Sequence, residues 1–229
     1  MLVHGARYSL VIGVCAALLG GIVGQLLGLV AGYFGRWVRT AIMGLMDALM
    51  SIPAFLLALL VCLSVAVGGR VYMSGIAFGG RVHLLSIIVA LAVVFVPWQC
   101  RLMCTQAALL KEQSFVVAGR SEGAGHWRTM FRHIYPNALA PCIVQMVWAI
   151  GAIILVESGL AFLGLTAGES WGYIADSWST LVPLHFYVLY IMGAAWLVLV
   201  MGFYLMGDGL RAVFGPSRDT RGQDRAASD

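Results

Sequence analysis

Long charge-free stretches, each near the length of a membrane crossing, alternate with short arginine-bearing segments along this chain. No residue between Arg7 and Arg36 is charged. Further uncharged windows cover 48–69, entered just after Asp47 and carrying Pro53, and 82–100, with Pro97 near its end. A fourth opens after Arg132, is interrupted by Glu157 and runs to about Leu165, and a fifth lies within 177–207. Crossing ~30 Å of hydrocarbon takes about 20 apolar helical residues, so the pattern predicts at least five transmembrane helices. Between the third and fourth windows, Trp127, Met130, Phe131 and Ile134 fall at i, i+3, i+4 and i+7 and predict one apolar stripe on a short helix. Arg128 and Arg132 stand one turn apart on a neighbouring face. A preceding helix is expected over 113–121, with Gly123 and Gly125 breaking the two apart. Pro136 is expected to end the second helix and Asn137 to start the next span.

Arginine placement orients the spans. Arg36, Arg39, Arg101, Lys111, Arg120, Arg128, Arg132, Arg211, Arg218, Arg221 and Arg225 are eleven of the 14 basic residues. All of them share one side if the segments 34–48 and 101–136 and the C-terminal tail are cytoplasmic. Arg7, Arg70 and Arg81 remain for the other. The positive-inside rule therefore predicts a cytoplasmic C-terminus. Met1 to Arg7 is short and no cleavage site follows it, so the first apolar stretch is expected to stay in the membrane. An odd span count puts Met1 outside, which suggests a helix missing or encoded upstream.

Composition agrees with this reading. The AVILMFWYC set reaches 61% and the charged residues only 10%, against roughly 45–50% and about 25% in soluble domains. Lys111 is the sole lysine and follows Ala108, Leu109 and Leu110 rather than a glycine loop, so the chain has no phosphate-binding loop of its own for ATP. Cys100 and Cys104 lack a His or carboxylate at ligand spacing. His4, His83, His126, His133 and His185 form no zinc motif. No G-x-S-x-G elbow supports Ser/His catalysis, and Met43, Met46 and Met50 read as packing. Neither a metal nor a nucleic-acid partner is expected.

Two readings of the 105–136 segment remain open at this point. It is either a docking surface or an ordinary amphipathic stretch whose arginines meet anionic headgroups. Asp47 and Asp208, near span ends, are expected to be anchors in headgroup water. Glu157 lies deeper, where a carboxylate lines a path through the protein or meets a second subunit.

The segment Val117-Ala118-Gly119-Arg120-Ser121-Glu122-Gly123, followed by Ile134-Tyr135-Pro136-Asn137, resembles the signature loop of permease subunits of ATP-binding-cassette importers in the dipeptide, oligopeptide and nickel class. Trp127-Arg128 and Phe131-Arg132-His133 look like the usual loop of that branch. Gly5-Ala6-Arg7-Tyr8, Ala31-Gly32-Tyr33-Phe34, Met46-Asp47, Phe162-Leu163-Gly164-Leu165, Trp171-Gly172 and Gly207-Asp208 extend the likeness along nearly the whole chain. Val117 stands where the motif has glutamate, Gly119 replaces its second alanine, and Glu122 occupies a usually apolar position. The connection from Leu165 to Trp171 is shorter than usual, and the family's first helix is absent.

The resemblance implies an all-α, polytopic membrane bundle of the type I importer kind. A single permease domain would fill residues 1–229, with an ATPase-coupling loop at 105–136 and a cytoplasmic tail at 211–229. The coupling residues would be Ala118, Arg120, Gly123, Ala124, Trp127, Arg128, Met130, Phe131, Arg132, Ile134 and Pro136. Implied partners are a homologous second permease, two cytoplasmic ATPase subunits that bind the ATP, an extracytoplasmic binding protein and membrane lipid, in the inner membrane of a bacterium. Peptides are the expected cargo, with nickel or another small solute as the alternative. Two readings from other classes are an intramembrane enzyme using Asp47, Glu157 or Asp208, and a channel independent of ATP.

Overall fold

The computed structural model describes residues 2–67, 84–165, 168, 170–181 and 187–214. Arg70, Arg81, His83, His185, and the tail with Arg218, Arg221 and Arg225 lie outside the described residues. Every regular element among the described residues is helical. The first charge-free window is one helix, α1 (Leu2–Phe34), which ends where Gly35 takes φ +62. Helix α2 (Arg36–Met50) follows, largely exposed, with Met46 buried against Val96 and Cys100.

The second window is not a straight span. Ser51 to Pro53 breaks it, and α3 (Ala54–Val67) leaves α2 at a bend of 95°. Proline drives the residue before it out of the helical region, so Ile52 cannot carry α2 onward. Pro97, by contrast, sits inside α4 (Leu84–Lys111), which continues well past the third window, so 105–111 is the last two turns of a span rather than loop. Helix α5 (Ser114–Ser121) comes next. A single turn, α6 (His126–Arg128), then enters a π-helical turn (Thr129–Ile134) that leads without interruption into α7 (Tyr135–Phe162). Two more helices close the described chain, α8 (Trp171–Leu181) and α9 (Tyr187–Phe214). The tail expected from 211 therefore begins as the end of α9. Among the described residues four unbroken helical stretches are long and apolar enough to cross a membrane, and the bent pair α2 and α3 makes a fifth if counted as one.

Helices α1 and α4 form the most extensive pairing, with α7 packed against both. Glycine sets their separation. Gly20, Gly24, Gly28 and Gly32 line up along α1 at every fourth position, facing the carbonyls of Ala92, Val96, Cys100 and Cys104 on α4. A Cβ on Gly20, Gly24 or Gly32 would lie 2.5, 2.6 and 2.5 Å from its facing oxygen, and one on Gly28 closer still. Lipid tails are as apolar as leucine, so close backbone approach and interhelical hydrogen bonds hold such helices together. Three of the bonds that supply the second contribution involve glutamine side chains. Gln99 Nε2 donates to the Cys142 carbonyl at 3.0 Å, Tyr135 Oη to Gln25 Oε1 at 3.0 Å, and Gln25 Nε2 to Met146 Sδ at 3.2 Å.

Candidate functional site

The segment after Lys111 folds into an elbow pinned from within. Helix α5 starts at Ser114 and leaves only Val116 fully buried. At Gly123 the backbone takes φ +85, in the left-handed region that glycine enters without a Cβ penalty. The chain then rises through α6 and the π turn. Met130 and Ile134 are completely buried, together with Val116, Leu29, Met103 and Ala107, in a cluster at the ends of α1 and α4.

The apolar stripe therefore splits, correcting the expectation that its four members present one face. Met130 and Ile134 are core residues of this chain, Phe131 is half-buried, and Trp127 is 72% exposed with its ring 4.7 Å from that of Phe131. The physical reason is the π turn, whose wider hydrogen-bond pattern displaces residues from the 3.6-residue register used to predict the stripe. Ala118, Gly123, Arg128, Arg132 and Pro136 are exposed, while Arg120 and Ala124 are half-buried. Pro136 does not end the helix. It occupies the first turn of α7, and the Asn137 side-chain amide donates to the His133 carbonyl at 2.6 Å beside it. A proline ring is tolerated at a helix start because the missing N–H has no partner there in any case. The π turn supplies such a start inside a continuous rod.

Contacts that the sequence pattern did not predict fix the elbow to the spans. Tyr33, at the end of α1, bonds through its hydroxyl to His126 Nδ1 at 2.8 Å. Lys111 Nζ donates to the Tyr33 carbonyl at 2.6 Å, and the Arg120 guanidinium lies 5.0 Å from the Tyr33 ring centre. Thr129 Oγ1 donates to the Gly125 carbonyl at 3.1 Å. A solitary tyrosine at the end of an apolar run gives no periodic signal, so pattern reading had nothing to find.

The three carboxylates do not converge. Asp47 is paired with Arg101 at an exposed position, joining α2 to α4. Asp208 is exposed on α9. Glu157 was expected to face a path or a second subunit, and the structure corrects this. It is 1% exposed, enclosed by the chain itself, and accepts hydrogen bonds from Ser9 Oγ at 3.0 Å and Ser158 Oγ at 3.5 Å. Ser9 Oγ in turn accepts from the Trp171 backbone N–H at 3.4 Å, so this polar cluster ties α1, α7 and the start of α8 together. The cost of burying a carboxyl is offset only where its oxygens find donors. Glu157→Ala is accordingly expected to lower the stability of the detergent-extracted protein by about 3 kcal/mol, with Glu157→Gln milder because it keeps an acceptor for Ser9. Thermal melting checks this, and a midpoint unchanged in the alanine variant would contradict it. Among the described residues no group of three or more His, Cys, Asp or Glu could hold a metal ion.

Comparison with known proteins bears on the family and the fold of the chain. Residues 24–219 match the family described as binding-protein-dependent transport system inner membrane component. The dipeptide transport system permease protein DppC of Alkalihalophilus pseudofirmus is 36% identical over 219 residues, covering 94% of this chain and 67% of that one. The glutathione transport system permease protein GsiD of Pectobacterium atrosepticum is 33% identical, covering 93% and 66%. Among solved structures, inward-facing MetNI methionine ABC transporter superposes with a TM-score of 0.74 at 17% identity, over 94% of this chain and 96% of that one. A crystal structure of an amino acid ABC transporter gives 0.65 at 15% identity, over 90% and 91%. These two structural likenesses concern the fold.

Proposed function

We infer the function from the premise that this chain belongs to the family of binding-protein-dependent transport system inner membrane components. It is a multi-pass membrane protein and a permease subunit of an ATP-binding-cassette importer, a transport component rather than an enzyme. The finer reading is that it forms half of a translocation pore with a homologous permease. Two cytoplasmic ATPase subunits, which bind the ATP, drive it from below, and an extracytoplasmic binding protein delivers a peptide or similar small solute. Relatives named for dipeptide and glutathione transport support that cargo over nickel. The arginine distribution supports a cytoplasmic C-terminus.

One observation carries the coupling role: the elbow is rigid inside and available outside. Val116, Met130 and Ile134 lock it into the ends of α1 and α4, so a push on the elbow is passed to both spans without slack. Trp127, Arg128 and Arg132 face outward, offering an aromatic anchor and two charges to set the register of a partner. Co-purification tests this. An ATPase subunit is expected to accompany the wild-type chain and to be lost, by roughly 2 kcal/mol or more of binding energy, from the Trp127→Ala/Arg128→Glu variant. Equal recovery with both would remove the elbow from the docking role, and a chain that never brings down an ATPase would favour a channel independent of ATP.

A further inference from the structure

The ends of α1 and α4 and the elbow enclose a cavity of about 430 Å³, lined by Tyr33, Phe34, Lys111, Arg120, Ala124 and His126. Among the described residues no carboxylate lines it. Tyr33 is only 2% exposed and organises the rest. Its hydroxyl is bonded to His126, its carbonyl takes one of the three Lys111 donors, and its ring has Lys111 Nζ at 5.5 Å and the Arg120 guanidinium carbon at 5.0 Å. Two cations are thus held against one ring at the wall of one cavity. Among the described residues the ion pair formed is Arg101 with Asp47, and neither Lys111 nor Arg120 has a carboxylate partner there. Glu112 and Glu122, the acids nearest in sequence, are exposed and form no ion pair with them. Like charges brought together repel unless an anion is shared between them. The donors still free are two on the Lys111 ammonium and the planar fork of Arg120, a set suited to phosphate oxygens.

Position narrows the source of that phosphate. The cavity opens at the foot of the apolar run Gly5–Phe34, with Phe34 half-exposed and Trp37 82% exposed just beyond it. Aromatic rings at a span end mark headgroup level, and basic pockets between helices there take lipid phosphates. We propose that this cavity binds a phosphate-bearing anion, in the form of the headgroup of an anionic phospholipid from the surrounding leaflet. A lipid seated there bridges α1, α4 and α5. Any influence on coupling rests on the docking reading above, whereas the binding itself does not.

Native mass spectrometry of the full-length chain in neutral detergent, titrated with phosphatidylglycerol, tests the binding directly. Lys111→Gln/Arg120→Gln is expected to weaken retention roughly thirtyfold, the loss of two basic contacts. Arg128→Gln/Arg132→Gln, which removes the same charge from the exposed side of the elbow, is expected to leave it unchanged. Should the double variant extract poorly, Arg120→Gln alone preserves the Lys111 bond to Tyr33 and is expected to lose roughly fivefold. Equal retention by wild type and Lys111→Gln/Arg120→Gln overturns the proposal, as does an equal loss in both double variants, which would reduce the effect to general surface attraction. Displacement of the lipid by millimolar inorganic phosphate supports the phosphate chemistry and assigns the site to the free ion. Lipid bound only after accompanying subunits are stripped away would show that an acidic side chain of a partner fills the cavity, and would overturn the lipid assignment.

Discussion

Gly28→Leu is expected to abolish a well-folded permease. Gly28 faces the backbone of α4 and the first side-chain carbon of Met103, and a Cβ added there would press on the Cys100 carbonyl while lying 2.9 Å from Met103 Cβ and 3.0 Å from the Cys104 nitrogen. None of these is the flexible end of a side chain, so α1 and α4 must separate. Their separation would also open the facing contacts of Gly20, Gly24 and Gly32, because one rigid pair of helices carries all four. Overpacking at a single site costs about 1–3 kcal/mol, and here the loss of close packing along the pairing is added to it. Gly28→Ala already introduces the offending carbon and is expected to show a milder form of the same defect. Gly44→Leu on α2 is the matched control, since nothing lies within 4 Å of a Cβ built there. Size-exclusion chromatography after mild detergent extraction reads the outcome: aggregated or proteolysed Gly28→Leu beside monodisperse Gly44→Leu. A monodisperse Gly28→Leu protein would contradict the packing described here.

The spans were legible because lipid leaves no choice. A charged group inside hydrocarbon is expensive, so the limits of the charge-free windows approximate the helices. Boundaries were less legible where water is available again. Helix α4 runs on to Lys111 because amphipathic helix satisfies its own backbone outside the membrane as well as inside. Prolines carried opposite meanings that local sequence could not separate. Pro53 lies at a break with the backbone turning by 95°, whereas Pro97 is buried within α4 and Pro136 is absorbed in the first turn of α7. The glycine spacing on α1 was in plain view but acquires meaning only once α4 supplies four carbonyls at the same period.

At the elbow, the resemblance located the segment and periodicity placed its two short helices, but neither distinguished inside from outside. Trp127 and Met130 are both large and apolar. Which one is buried depends on the π turn, a tertiary compromise that lets Met130 and Ile134 reach the core while Pro136 begins α7. Glu157 shows the same limit at membrane depth. A carboxyl there signals that something polar must surround it, and three helices of the same chain turned out to provide the surroundings.

Gly123→Asp is expected to suppress solute uptake at least tenfold while leaving the protein inserted and monodisperse. At φ +85 a residue with a Cβ pays about 1–2 kcal/mol, and a 1.4 kcal/mol shift in a two-state step is roughly tenfold. Nothing lies within 4 Å of a Cβ at this position, so the strain is in the backbone and its relief must re-aim the exposed end of α5 relative to α6. The buried contacts of Val116, Met130 and Ile134 lie outside that turn, which is why the bundle itself should survive. Gly125→Asp separates this effect from the mere addition of a carboxylate to the elbow. Gly125 has φ −65, ordinary for any residue, and stands immediately before α6, where aspartate is a favoured helix cap. Uptake in Gly125→Asp is therefore expected to stay within a few-fold of wild type. Equal loss in both variants would assign the defect to charge, and normal uptake in Gly123→Asp would mean that the elbow bends without consequence for transport.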